Sequence, residues 1–161
     1  MKVYVAAPGV ERNKARSVMQ LVEAYGHEIT FNWLGPDTDI RDHWRDARDE
    51  GRIHAEKERQ GVKDCKVLIL VVPGPRFRKR GLGCYIEFGM AAGQDKTIWI
   101  VDYGDWNRDS VFFCLTDVHF LTYEEMNAAL RMAKDTEVAN EAEARSRVDG
   151  TSHLGGNLPS L

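Results

Sequence analysis

Apolar and polar positions follow two rhythms along this chain. Unbroken apolar runs occur at Val67-Leu-Ile-Leu-Val-Val-Pro73 and at Thr97-Ile-Trp-Ile-Val101. Runs of this length, rich in β-branched residues, predict strands covered on both faces, as in a parallel sheet. Lys2 to Ala7 predicts a first strand, in which Val3 and Val5 alternate with Tyr4 and Ala6, and Ala7-Pro8-Gly9 ends it. A second strand is predicted over His27 to Leu34, a third over Cys65 to Val72, a fourth over Thr97 to Val101 and a fifth over Val118 to Leu121. The segments between them carry helical spacing. Asn13 to Tyr25 puts Val18, Leu21 and Val22 on one face, and Gly26 supplies the stop. Trp44 to Gln60 is so charged that it predicts a solvent-facing helix, resting on Trp44, Ile53 and Ala55 and open to a break at Gly51. A crossover helix over Ile86 to Gly93 places Glu87 in its first turn. Thr122-Tyr-Glu-Glu125 is a capping box that opens a last helix, reaching about Val148.

Strands alternating with helices predict an α/β fold: one doubly wound, Rossmann- or flavodoxin-like domain with a parallel sheet of about five strands. Residues 1–148 are assigned to this domain and 149–161 to a flexible C-terminal tail. The length of 161 residues suits a single domain with a full core. With 43% hydrophobic and 29% charged residues and a formal net charge of −3, nothing pulls the chain toward polymeric nucleic acid or a membrane surface. No apolar run approaches bilayer length, and the opening residues read as a strand rather than a leader. Three widely spaced cysteines, Cys65, Cys84 and Cys114, read as reduced, buried thiols of a cytoplasmic protein. The five histidines show no metal-ligand spacing, so no metal or other cofactor is implied.

Candidate chemistry gathers where strands end and helices begin, the edge at which open α/β sheets bind ligands. Glu87 stands there among Tyr85, Ile86 and Phe88; the alternative is a carboxylate that merely complements a helix dipole. Cys84 is close by, but no histidine is local to activate it. The loop after the first strand lacks a dinucleotide fingerprint and a Walker sequence. Pro8, Gly9 and Arg12 are nonetheless placed to meet a sugar or a phosphate, or to form a plain turn. Arg76, Arg78, Lys79 and Arg80 precede Gly81 and Gly83 at a helix start, where a 5′-phosphate could bind or the cations could simply be solvated. Tyr4, in mid-sheet, must find a polar partner or reach the cleft. Trp33 is a base-stacking or core residue. Glu58, taken alone, is one more charge on a solvated face.

Together these segments resemble the nucleoside 2-deoxyribosyltransferase family and its relatives, the nucleoside 5′-monophosphate N-glycosidases. Lys2-Val-Tyr-Val-Ala-Ala-Pro8 is similar to the family's first strand and turn. Gly26-His-Glu-Ile-Thr30 is similar to its second-strand entry. Ile86-Glu87-Phe-Gly89 with Ala91-Ala92-Gly93 resembles its E-x-G-x-A signature. Ser110-Val-Phe112, Val118-His-Phe120 and Tyr123-Glu-Glu125 are similar to a late segment of some members. The resemblance covers roughly residues 2 to 130. It departs at Glu58 and Lys66, where the family has aspartates, and at Gly81, where transferases often carry a sugar-holding aspartate. The C-terminal tail does not match the aromatic terminus of the transferases.

The resemblance implies that Glu87 attacks C1′ of a nucleoside or nucleotide, that Glu58 assists departure of the base, and that Tyr4 orients Glu87. It also implies a homodimer or higher homo-oligomer in which a neighbouring subunit completes the site near Ser110. Three functions follow as expectations. The first is transfer of a 2-deoxyribosyl group between bases. The second is hydrolysis of a (deoxy)nucleoside 5′-monophosphate, favoured by the basic loop and by Gly81. The third is a non-catalytic nucleotide-binding module.

Overall fold

The computed structural model describes residues 1–35, 48–72, 82–101 and 111–151. Five parallel strands, β1 (Lys2–Ala6), β2 (Glu28–Ile29), β3 (Val67–Val71), β4 (Thr97–Val101) and β5 (Val118–Leu121), form one sheet in the order β2-β1-β3-β4-β5. Helices α1 (Arg12–Ala24), α2 (Arg48–Asp64), α3 (Leu82–Ala92) and α4 (Tyr123–Thr151) connect and cover the strands. This is the doubly wound α/β architecture anticipated from the pattern. The strand order reverses between β1 and β3, so the crevice for a ligand opens at the carboxyl ends of those two strands. Register there places Tyr4 beside Leu68.

The core follows the apolar runs. Every residue of β3 is buried, and Leu68, Ile69, Leu70, Ile98 and Ile100 are fully so. Helix α1 contributes Ala15, Val18, Met19 and Val22, and α4 contributes Met126 and Leu130. These two helices meet where the Tyr25 hydroxyl donates to Asn127 Oδ1 at 2.7 Å. Helix α1 ends in a Schellman motif: Gly26 takes φ of +74°, its N–H bonds the Glu23 carbonyl, and the His27 N–H bonds the Val22 carbonyl. The capping box of α4 is formed, with the Glu125 N–H on Thr122 Oγ1 at 3.1 Å and the Thr122 N–H on Glu125 Oε2 at 2.7 Å. Those hydrogen bonds hold the Glu125 carboxyl below its ordinary range. No helix of the described residues is long and apolar enough to cross a membrane.

Several boundaries differ from expectation, each for a local reason. Strand β2 stops at Ile29 rather than Leu34. The carbonyls of Met1 and Val3 accept the N–H groups of Glu28 and Thr30, but the next carbonyl on that side, Val5, is taken at 2.7 Å by the Trp33 indole N–H. A side chain thus ends the ladder, and Asn32 Oδ1 accepts the Leu34 N–H as the chain turns. Helix α2 runs without a break through Gly51 and is anchored by Gly61 and Val62, whereas Ile53 is half exposed. Trp44 lies outside the described residues. Helix α3 begins at Leu82, a turn earlier than expected, so Glu87 is in its second turn, where dipole complementation no longer accounts for it. Helix α4 continues past Val148 into the segment expected as tail. Val111–Cys114 forms a 3-10 turn, and Cys114 is exposed rather than buried.

Candidate active site

A cavity of about 500 Å³ opens at the strand-order reversal. Its walls are the loop after β1 (Ala7, Gly9), Trp33, and the start of α3 (Gly83, Cys84, Glu87). Among the described residues, one face of α2 forms a further wall. Arg48, Gly51, Ala55 and Glu58 recur at i, i+3, i+7 and i+10 and so share that face, joined by His54.

Tyr4 and Glu87 meet within it. Strand β1 carries Tyr4 in a fully buried position, and its hydroxyl donates to Glu87 Oε1 at 2.5 Å. The phenol is pushed far above its ordinary range by burial and by the neighbouring carboxylates, so it remains a donor at any physiological pH. Burial also pushes the Glu87 carboxyl up, to about 8; the Tyr4 hydrogen bond holds it back and the charge of Glu58 adds to the rise. A carboxyl only 7% exposed, lining a cavity, with one oxygen fixed and its ionisation near neutrality, suits nucleophilic or proton-transfer chemistry.

Gly61 makes this placement possible. A Cβ at position 61 would stand 2.8 Å from Phe31 Cβ and 3.0 Å from two ring carbons of Tyr4. Helix α2 can therefore press the Tyr4 ring against the sheet only because this residue has no side chain. Gly61→Ala is expected to destabilise the fold by about 1–3 kcal/mol through overpacking. It should also displace the Tyr4 hydroxyl, so thermal unfolding and turnover would fall together. A variant with unchanged melting and turnover would show that this contact is not tight.

Glu58 faces the same cavity with its side chain about one-third exposed, and His54 Nε2 lies 3.0 Å from its Oε1. It is therefore not the solvated charge that its local sequence suggests. Trp33 does two things: its indole N–H closes the β2 edge, and its ring lines the cavity. Gly9 and Gly83 line the cavity as well, and a Cβ at Gly83 would meet no atom of the described residues within 4 Å. Pro8 is buried at the head of the 3-10 turn and Arg12 opens α1; neither is among the lining residues. Arg80, Gly81 and Ser110 lie outside the described residues. Cys84 lines the cavity, but burial and the Glu87 charge push its thiol up to about 12, which suits an inert thiol. The sequence reading missed Arg48, Gly51, His54 and Ala55. The available signal was the recurrence of small residues on the Glu58 face of an otherwise charged helix.

No family model matches this chain, and no curated protein does either. Among solved structures it is similar to the CMP N-glycosidase BcmB of Clostridium botulinum, with a TM-score of 0.53 and 16% identity. The match covers 81% of this chain and 98% of that one. At this identity the similarity establishes a shared fold.

Proposed function

We propose that this protein cleaves the N-glycosidic bond of a nucleoside 5′-monophosphate through a glycosyl ester on Glu87. The observation that carries the reading is the buried Tyr4–Glu87 hydrogen bond in a cavity that also holds Glu58. With Oε1 held by Tyr4, Oε2 of the ionised Glu87 attacks C1′. The C1′–N bond breaks, its electron pair leaves with the base, and the base nitrogen takes a proton from Glu58 or from a water that Glu58 orders. Water then attacks C1′, the ester bond breaks, Glu87 returns as carboxylate and the proton returns to the Glu58 side. Two carboxyl groups dividing these roles suit an oxocarbenium-like transition state.

The choice of a monophosphate draws support from the start of α3. Gly83 lines the cavity at a helix N-terminus, a position that favours an anion, and the cations Arg76, Arg78, Lys79 and Arg80 precede it in sequence. The similarly folded BcmB is named for action on CMP. Transfer of the sugar to a second base would use the same ester with a different acceptor. Incubation with a deoxynucleoside, its 5′-monophosphate and a second free base separates the readings. Release of base from the monophosphate alone supports the proposal. Exchange of bases on the free nucleoside supports a transferase, and binding without turnover supports a sensing module.

Glu58→Gln is expected to slow loss of poorly leaving bases by roughly 10²–10⁴-fold, while bases that need no protonation leave almost unhindered. Equal effects on both classes would remove Glu58 from the proton path.

We also propose that a second copy of the chain covers the outer face of α3. Leu82 and Ile86, one turn apart, are 75% and 64% exposed, and Phe112 is 64% exposed. Replacing Leu82 and Ile86 with glutamate is expected to convert a dimer to monomer by analytical ultracentrifugation. A wild-type monomer at all concentrations would contradict this.

A further inference from the structure

We infer that His54 is the positioning residue for Glu58, the counterpart on α2 of what Tyr4 is for Glu87. The inference rests on the role given to Glu58 above. His54 and Glu58 are one helical turn apart, and their Nε2 and Oε1 atoms are 3.0 Å apart. A carboxyl oxygen that bears no proton only accepts hydrogen bonds, so with the Glu58 proton off Oε1 it is Nε2 that carries the proton in this contact. The imidazole is itself held in place. It packs edge-on against Phe31, ring centroids 5.5 Å apart, and its side chain is only 18% exposed. Phe31 in turn lies against Gly61 and hence beside Tyr4.

A hydrogen bond at Oε1 narrows the conformations open to Glu58. A glutamate has three side-chain torsions, and at 31% exposure packing alone does not select one rotamer. A carboxyl group that must hand a proton to a departing base has to lie within hydrogen-bond reach of one nitrogen. His54 holds Oε1 and so limits where the carboxyl group can point. A protonated Glu58 gives its proton as the C1′–N electron pair moves onto the base, and it regains a proton from the water that opens the ester. His54 itself exchanges no proton with the substrate.

The test compares His54→Ala with His54→Gln, whose amide N–H can reach Glu58 but cannot act as an acid. Substrates are the 5′-monophosphates of deoxyuridine and 5-fluorodeoxyuridine, the second carrying the better leaving base. His54→Ala is expected to slow uracil release at least about tenfold more than 5-fluorouracil release, and His54→Gln to restore most of the difference. Equal slowing of both substrates, or failure of His54→Gln to restore selectivity, overturns the inference. A second measurement does not depend on activity. In long-range ¹H–¹⁵N spectra of the wild type, His54 should show a protonated Nε2, and Glu58→Ala should shift that resonance while leaving the other histidines in place. An unmoved resonance overturns the contact. If the wild type releases no base while the resonance shifts as expected, the glycosidase reading fails and takes the catalytic role of the pair with it.

Discussion

Glu87→Gln is expected to lower base release by at least about a thousandfold, since the covalent route loses its nucleophile. The same change should make the fold more stable above neutral pH. The folded carboxyl ionises near 8, against an ordinary value near 4.5. Between those values the folded chain keeps a proton that the unfolded chain has lost. Wild-type stability therefore falls as pH rises through that window, with a limiting slope of about 1.4 kcal/mol per pH unit. Glutamine has no charge to bury, and its amide oxygen can still accept from Tyr4. The two proteins should melt alike near pH 4.5 and diverge in favour of the variant up to pH 8. A residue retained only for structure would give the reverse, a destabilised variant with its activity intact.

Tyr4→Phe carries the second large effect. With Glu87 ionising near 8, about one-tenth of it is the reactive carboxylate at pH 7, so for a base that leaves without protonation kcat/KM should climb about tenfold per pH unit below 8 and then level off. Removing the phenol removes a hydrogen bond to the charged form. At about 1.5–3 kcal/mol, that loss moves the acid limb up by about one to two pH units and costs about 10–100-fold at pH 7. Glu58→Gln should move the same limb the other way, because the Glu58 charge raises the Glu87 pKa. Opposite displacements by two substitutions on two elements are hard to obtain from general loosening. A limb that stays in place in both variants would separate Glu87 from the rate.

Much of this architecture was legible because the signals were local. Strands β4 and β5 begin and end where their apolar runs do, the Thr122 capping box opens α4, and Gly26 closes α1. The pairing of Tyr4 with Glu87 was accessible through the family resemblance, although the two are 83 residues apart in sequence. What remained hidden depends on contacts that no local pattern encodes. The end of β2 is decided by the Trp33 indole, which occupies a carbonyl of another strand. The seating of α2 is decided by Gly61, a residue whose importance is what it leaves out. The cavity face of α2 was obscured because Arg48, His54 and Glu58 are polar, and polarity on a helix ordinarily marks solvent. Here it marks a cleft.

The central claim is a covalent bond between Glu87 and the sugar. A nucleoside monophosphate bearing fluorine at C2′ should react slowly at both steps, because fluorine disfavours the oxocarbenium-like transition states, and a good leaving base lets the ester form faster than water opens it. Intact-protein mass spectrometry after such incubation should show one added fluoroglycosyl phosphate per chain, mapped by proteolysis to Glu87 and absent from Glu87→Gln. Release of base with no adduct at any time, or an adduct on a different residue, would contradict the account.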